Sequence, residues 1–460
     1  MTLLAASTVF KTIGSVLAAI LILLFMITVH EFGHYIAGKI FKFKINEFAI
    51  GMGPKIFSRK SETSGEVFSV RALPLGGFCA FEGEDDDIKS EDSFNSKAPY
   101  KRIIVLMAGA TVNFICGVLI LMLSVGIYGQ IMVNCYDVRP DAVYQEYSLQ
   151  NDDVILKIDG KNVYMASDIL TRLNGKHEGD IVKVTVKNNG QKAVREVKLR
   201  NSVNAKNLTD SYAAFTALGV ATIEKVTAVT DENPLKLTAG DYILRIADSE
   251  VYDECTRVFG KTDLAGYVRK MNDGESLRLW LLPENGTADE KYLSEPIVKY
   301  ALDSSDDDTV MKMLGIKESD SYLKYRSENV KFGFFGSIGR GIGYSFSISG
   351  TIFRTLGELL TGKLGLSAMG GPITTITATT TVIKTGGFHY FLEIAGFIGV
   401  NLAVFNLLPI PALDGSRIVF CIIEWIRKKP LNRKVEAVIH GVGLILLLGF
   451  CVLVDILQLF

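Results

Sequence analysis

Four apolar runs decide most of what this chain can fold into. Thr12–Val29, Ile103–Tyr136 and Ile394–Leu413 contain no Asp, Glu, Lys or Arg, and Ala437–Val454 is interrupted only by His440. At about 1.5 Å of rise per residue, each approaches as a helix the roughly 30 Å hydrocarbon core of a bilayer. The runs are therefore read as four transmembrane helices, and the 48% hydrophobic content is gathered in them rather than spread evenly. Lys11 alone is a thin positive start for a cleavable leader, so the first run is expected to stay as a signal-anchor helix.

The net charge of −1 carries no signature of nucleic-acid binding, but its distribution sets an orientation. Lys39, Lys42, Lys44, Lys55, Arg59, Lys60, Arg71, Lys97, Lys101 and Arg102 lie between runs one and two. Arg417, Arg427, Lys428, Lys429, Arg433 and Lys434 lie between runs three and four. Positive loops stay on the cytoplasmic side, which puts the long segment from about residue 130 to 385 on the opposite side. Six cysteines show no C-x-x-C pair; Cys135 and Cys255 could meet outside the membrane, but free buried thiols fit the spacing better.

Between runs one and two, "EFAIGMGPKIFS" and "GEVFSVRALPLGGFCAF" alternate and are punctuated by Gly and Pro, which predicts a small sheet at the membrane. The acidic stretch "EGEDDDIKSED" then reads as a solvated connector. In the long segment, "QNDDVILKIDGKNV" and "LTAGDYILRIADSEVY" share a layout, each followed by a helical run and another strand, so two copies of one α/β module are expected. Phe332–Lys363 is apolar but carries Arg340, Arg354 and Glu358, which fits an amphipathic helix on the outer surface better than a fifth span.

Chemistry enters at "TVHEFGHYIAGK". His30 and His34 stand four residues apart, so a helix projects both imidazoles from one face, where a zinc ion can take both, with Glu31 beside it. Such a carboxylate is placed to take a proton from a water attacking a carbonyl. Ionisable groups at membrane depth are costly, which favours a function over a polar helix end. Zinc needs a third protein ligand, and "NLAVFNLLPIPALDGSR" offers one. Pro409 and Pro411 cannot both continue a helix, so the backbone is expected to unwind and to deliver Asp414 near His30, at the cytoplasmic ends of two spans expected to be antiparallel.

"HEFGH", "RALPLGGF", "GATVNF", two PDZ-like modules and "NLLPIPALDG", in this order, resemble the bacterial site-2 proteases of the regulator-of-sigma-E type, intramembrane zinc metalloproteases of peptidase family M50. The likeness covers nearly the whole chain. It implies Zn²⁺ held by His30, His34 and Asp414, Glu31 as general base, and Asn401 and Asn406 holding the substrate strand or an oxyanion. Asn113, four residues after Gly109, matches a G-x-x-x-N element and is an accessory candidate, with close helix packing through a small residue and one interhelical hydrogen bond as an equal alternative. The expected architecture is a polytopic α-helical membrane protein with four transmembrane helices, a small membrane-associated β-sheet and two extracytoplasmic PDZ-like α/β domains.

In residue numbers, that order is a first span with H-E-x-x-H (1–40), the sheet and acidic loop (41–102), a second span (103–129), and modules at 130–205 and 206–302. A linker with the amphipathic helix (303–384), a third span with the second motif (385–416), a cytoplasmic loop (417–435) and a fourth span (436–460) complete it. A substrate helix hides its amides until it unwinds, and the strand Ser69–Phe78 offers an edge on which it can pair. Arg71, Leu73, Leu75, Gly76, Gly77 and Phe78 are the expected substrate-binding residues there.

The partners implied are the lipid bilayer and single-pass membrane proteins, such as anti-sigma factors or remnant signal peptides, already cut by another protease. The place implied is the bacterial inner membrane, with the PDZ-like modules outside and acting as a size filter or a peptide clamp. A catalytically silent PDZ scaffold is the alternative, and a prenyl-protein type zinc protease a third reading. The intact set His30, Glu31, His34 and Asp414 argues against the scaffold; the prenyl type gives no reason for "LDG" or the module pair.

Overall fold

The computed structural model of the chain describes residues 2–84, 90–135, 147–200, 202–204, 211–220, 222–249, 251–252, 255–256, 258, 260–283, 290–299, 306–323, 326–365 and 370–457. They form two compact units, Met1–Gln130 with Val330–Phe460, and Ile131–Asn329. The first unit opens with α1 (Thr2–Ile40), β1 (Ile45–Lys60), β2 (Val67–Phe81) and α2 (Pro99–Tyr128).

The second unit begins with β3 (Gln130–Cys135), β4 (Asp153–Ile158), β5 (Lys161–Asn162), α3 (Ala166–Leu173), β6 (Ile181–Asn188), β7 (Gln191–Lys198) and α4 (Ser211–Ala217). It continues with β8 (Thr222–Val229), β9 (Tyr242–Ile246), α5 (Lys261–Lys270), β10 (Ser276–Leu277), β11 (Leu279–Leu282), β12 (Tyr292–Leu293), β13 (Ile297–Val298), α6 (Asp307–Met313), β14 (Ile316–Leu323) and β15 (Arg326–Val330). The first unit resumes with α7 (Phe334–Leu360), α8 (Pro372–Asn406), α9 (Asp414–Arg427) and α10 (Arg433–Leu457).

Among the described residues four helices are long and apolar enough to cross a membrane: Ile13–Ile40, Pro99–Tyr128, Gly387–Asn406 and Lys434–Leu457. These carry the greater part of the four apolar runs; Gln130–Cys135 of the second forms β3, and Leu407–Leu413 of the third is not helical. Glycines set how closely the first three approach. A Cβ on Gly33 would lie 2.5 Å from the Ala108 carbonyl oxygen of α2, one on Gly117 would lie 2.9 Å from the Gly396 oxygen of α8, and one on Gly399 would lie 3.1 Å from Met26 Sδ. Small residues let backbones pack where lipid gives no hydrophobic drive to associate. These contacts correct the expected antiparallel relation of spans one and three. Met26 meets Gly399 and, further along both chains, His30 meets Asn406, so α1 and α8 run the same way with α2 opposed to both.

The helix expected on the outer surface, α7, has one face covered by α2. Its buried stripe, Ser337, Arg340, Gly341, Tyr344, Ser345, Ile348 and Ile352, is amphipathic as the sequence implies. That stripe packs along α2: a Cβ on Gly341 would lie 2.7 Å from Met122 Cα, and Phe346 meets Phe114 with ring centroids 5.5 Å apart. The polar groups find protein partners, Arg340 donating to Gln130 at 2.7 Å and Tyr344 to Glu393 at 3.1 Å, so the helix need not rest its polar face on water.

The long insert repeats as expected, but its boundaries move. One sheet has the order β15-β3-β4-β6-β7 and the other β14-β8-β9-β11-β12, the same order read along the two copies. Each central strand has an aspartate at its start, Asp153 as the first residue of β4 and Asp241 just before β9, whose carboxylate closes a turn: Asp153 accepts from Gln150 N–H at 2.8 Å and Asp241 from Thr238 N–H at 2.7 Å. Separate cores form around Ile155, Ile158 and Phe215, and around Ile243, Leu264 and Leu281. The stretch from 303 expected to be a linker instead supplies β14 to the second sheet and β15 to the first, so the second module is nested within the first. No disulfide forms among the described cysteines, and Cys79, Cys135, Cys255 and Cys421 are buried.

Candidate metal centre and its flanking strand

H-E-x-x-H lies in the last turns of α1, and both imidazoles are buried. α8 ends at Asn406, the chain unwinds through Leu407–Leu413, and α9 starts at Asp414. Ala412 in this loop has φ of 78°, a left-handed conformation that costs a non-glycine residue about 1–2 kcal/mol. Gly415 is required, since a Cβ there would lie 2.5 Å from the Leu407 carbonyl carbon. The loop is braced from α10: Ala412 N–H donates to His440 Nδ1 at 3.1 Å, and a Cβ on Gly443 would lie 3.1 Å from the Pro411 carbonyl carbon.

The result is a triad of donors. His30 Nε2 lies 2.9 Å from Asp414 Oδ2, His34 Nε2 lies 3.2 Å from the same oxygen, and the two Nε2 atoms are 3.1 Å apart. Tetrahedral zinc with bonds of about 2.0–2.1 Å spaces its ligand atoms about 3.3 Å apart, so two neutral imidazoles and a carboxylate at these separations fit a zinc ion. Among the described residues, His30, His34 and Asp414 are the group able to hold a metal. The outer imidazole nitrogens are oriented too. His34 Nδ1–H donates to the Val105 carbonyl at 2.8 Å, and His30 Nδ1 lies 3.4 Å from the Asn406 amide. The Asn406 atom facing His30 Nδ1 is Nδ2; a metal on Nε2 leaves the ring proton on Nδ1, which a rotated Asn406 amide would accept through its oxygen.

Gly109 of α2 gives the histidines their room, since a Cβ there would sit 2.8 Å from His30 Cε1 and closer still to His34 Nε2. One turn on, Asn113 is fully buried, and neither amide atom has a hydrogen-bond partner among the described residues. A buried amide left unpaired is unusual enough to require an explanation.

The sheet corrects the expected docking edge. Glu47–Ile50 pairs both with Val67–Val70 and with Gly77–Ala80, while Lys55–Lys60 pairs with Val67–Arg71. β1 and β2 thus form four lanes in the order 55–60, 67–71, 45–50, 77–81. Ser69 and Arg71 lie in an inner lane, so they present no free edge; the outer lane beside α1 is Gly77–Phe81. Arg71 braces the hairpin, donating to Glu47 at 2.8 Å and to Gly53 O at 2.8 Å and stacking on Phe78 at 4.9 Å. Leu73 is exposed and beside Met52, and Gly76, at φ of 98°, makes the turn into the outer lane. Leu75 lies in β2, and its side chain is outside the described residues.

Glu31 reaches this outer lane: its carboxylate accepts from the Cys79 backbone N–H at 3.0 Å. The Cys79 thiol is no competing nucleophile, because burial, with Glu31, Glu84 and Glu66 nearby, pushes its pKa far above the usual range. Of the two asparagines, Asn406 reaches His30, whereas Asn401 donates to the Phe397 carbonyl of its own helix at 2.8 Å. The roles of Val105, of Gly109 as a cradle and of His440 do not follow from the sequence, in which His440 is a polar group in an apolar span. A lone histidine in an apolar helix was the one available signal.

Comparison with known proteins agrees with this chemistry. The model described as Peptidase family M50 matches residues 18–450. The chain is 27% identical over 456 residues to a protein named regulator of sigma E protease from Haemophilus influenzae, covering 96% of this chain and 97% of that one. It is 29% identical over 464 residues to a protein named zinc metalloprotease RasP from Bacillus licheniformis, covering 97% and 100%. With four membrane-length helices and a donor set suited to zinc, the chain belongs to peptidase family M50, as a membrane-embedded zinc metalloprotease.

Proposed function

We propose that the protein is a site-2-type endopeptidase that hydrolyses peptide bonds within the membrane segments of single-pass proteins. The observation that carries this is the meeting of His30 and His34, both from the membrane helix α1, with Asp414 at the start of α9, and with Glu31 poised between them and the outer lane of a sheet. His30, His34 and Asp414 hold the zinc; when bound, the ion polarises a carbonyl and makes a water acidic. Glu31 takes the proton of the attacking water and returns it to the leaving amine. Asn406 keeps His30 in its tautomer, and the unpaired amide of Asn113 supplies a hydrogen bond to a water or to substrate backbone.

A helical substrate must expose a backbone stretch before any carbonyl can be attacked. The outer lane accepts that stretch as a further strand, each new hydrogen bond returning about 0.5–1.5 kcal/mol of what unwinding costs. Gly77 and Phe78 lie in this lane, and Gly76 sets its start. The repeated modules are PDZ-like, lie outside the inner membrane of a bacterium, and bar substrates that still carry a bulky outer domain. The basic loops between spans one and two and between spans three and four favour this orientation.

The test is a single-pass reporter co-reconstituted with the zinc-loaded protein in vesicles. Cleavage inside the membrane segment is expected, with a loss of about 10²–10⁴ in Glu31→Gln. Zinc stays at about one per chain in that variant, because its three ligands are intact. An uncut reporter, or full activity in Glu31→Gln, would refute the reading.

A further inference from the structure

Successive residues of a strand turn their backbone donors to opposite sides, so in the outer lane Cys79 and Phe81 offer their N–H groups to the same, unpaired side. Both are taken by carboxylates. Glu31 holds Cys79 N–H at 3.0 Å, and Glu84 holds Phe81 N–H at 3.3 Å. The other Glu84 oxygen accepts from Arg417 of α9, which stands one turn after Asp414. Both side chains are partly shielded, Glu84 at 16% exposure and Arg417 at 34%. The turn carrying Glu84 is itself fixed: Asn95 Nδ2 donates to the Gly83 and Glu84 carbonyls, and Glu82 N–H to Lys44 O at 2.9 Å.

We propose that Glu84 is a specificity-determining positioning residue: with Arg417 it fixes the register of the outer lane against Asp414 and closes the docking edge beyond Cys79. An incoming strand can exchange with Glu31 at Cys79, since that carboxylate belongs to a helix with work elsewhere. It cannot pair on at Phe81 while Glu84 is anchored from two sides. The strand therefore stops at a defined residue, and one peptide bond is brought to the metal centre. The acidic stretch, expected as a solvated connector, thus opens with two anchored carboxylates, Glu82 on Lys44 and Glu84 on Arg417, and residues 85–89 lie outside the described residues. The inference rests on the proteolytic reading above.

The test maps the cut bonds in the membrane reporter by mass spectrometry, with kcat, KM and zinc content measured for wild type, Glu84→Ala, Arg417→Ala and Arg417→Lys. A lane free to slide misplaces the bond by an ångström or more, so both alanine variants should cut at several neighbouring bonds, with kcat down about tenfold to a hundredfold and zinc retained. Arg417→Lys, which keeps the pair, should restore the single bond. Alanine variants that cut one unchanged bond would overturn the proposal, as would loss of zinc or of the folded state in both, which would make the pair a folding contact. Zinc-loaded wild type that cuts the reporter nowhere would instead refute the proteolytic reading itself.

Discussion

Gly109 of α2 faces His34 of α1 so closely that no side chain fits between them: a Cβ at this position would intrude on His34 Nε2 and lie 2.8 Å from His30 Cε1. Gly109→Ala should therefore drive the imidazoles apart and lower zinc content to below about a tenth of wild type, an effect at least as large as losing an outer partner of a ligand. Gly126→Ala on the same helix is the control, since its Cβ would meet only Ser337 Cβ at 4.0 Å. Metal analysis of both purified variants decides it; full zinc in Gly109→Ala would mean that the helices part easily here.

His440 accepts the N–H of Ala412, two residues before Asp414, in a loop held at positive φ. Removing the acceptor leaves a partly buried donor unpaired, at about 1–3 kcal/mol. His440→Phe should lower the unfolding midpoint of the zinc-free protein and weaken zinc binding about tenfold, while His440→Asn, whose amide oxygen stands near the place of Nδ1, should recover most of both. Equal zinc affinity in wild type and His440→Phe would show that the loop holds its shape unaided.

Glu47 ties the lanes of the hairpin together. Burial raises its pKa, but hydrogen bonds from Ser69, Arg71 and Lys55 outweigh that and hold it below the ordinary 4.5. A carboxyl whose pKa is depressed on folding stabilises above its unfolded value and loses that contribution as pH falls through the folded one. Hydrogen exchange of the β1 and β2 amides should therefore show wild type better protected than Glu47→Gln at neutral pH, with the difference closing below about pH 4.5. A gap that persists into acid would assign the effect to packing.

The sequence by itself determined the membrane helices, because hydropathy is a sum over neighbours in the chain. It determined the pairing of His30 with His34 as well, because a helix converts a spacing of four into a shared face. It also offered Asp414 as a third ligand, since two prolines must break a span and a break in lipid must serve something. Only the tertiary structure decided what depends on distant partners. Which strand of the hairpin is exposed follows from register, and register is a relation between two segments that neither one encodes alone. Ser69 and Arg71 look like an edge and are interior, whereas Gly77–Phe81 is the outer lane beside α1. The nesting of one module inside the other, the seating of α7 on α2, and the uses of Gly109, Glu84 and His440 came the same way, from contacts between elements far apart along the chain.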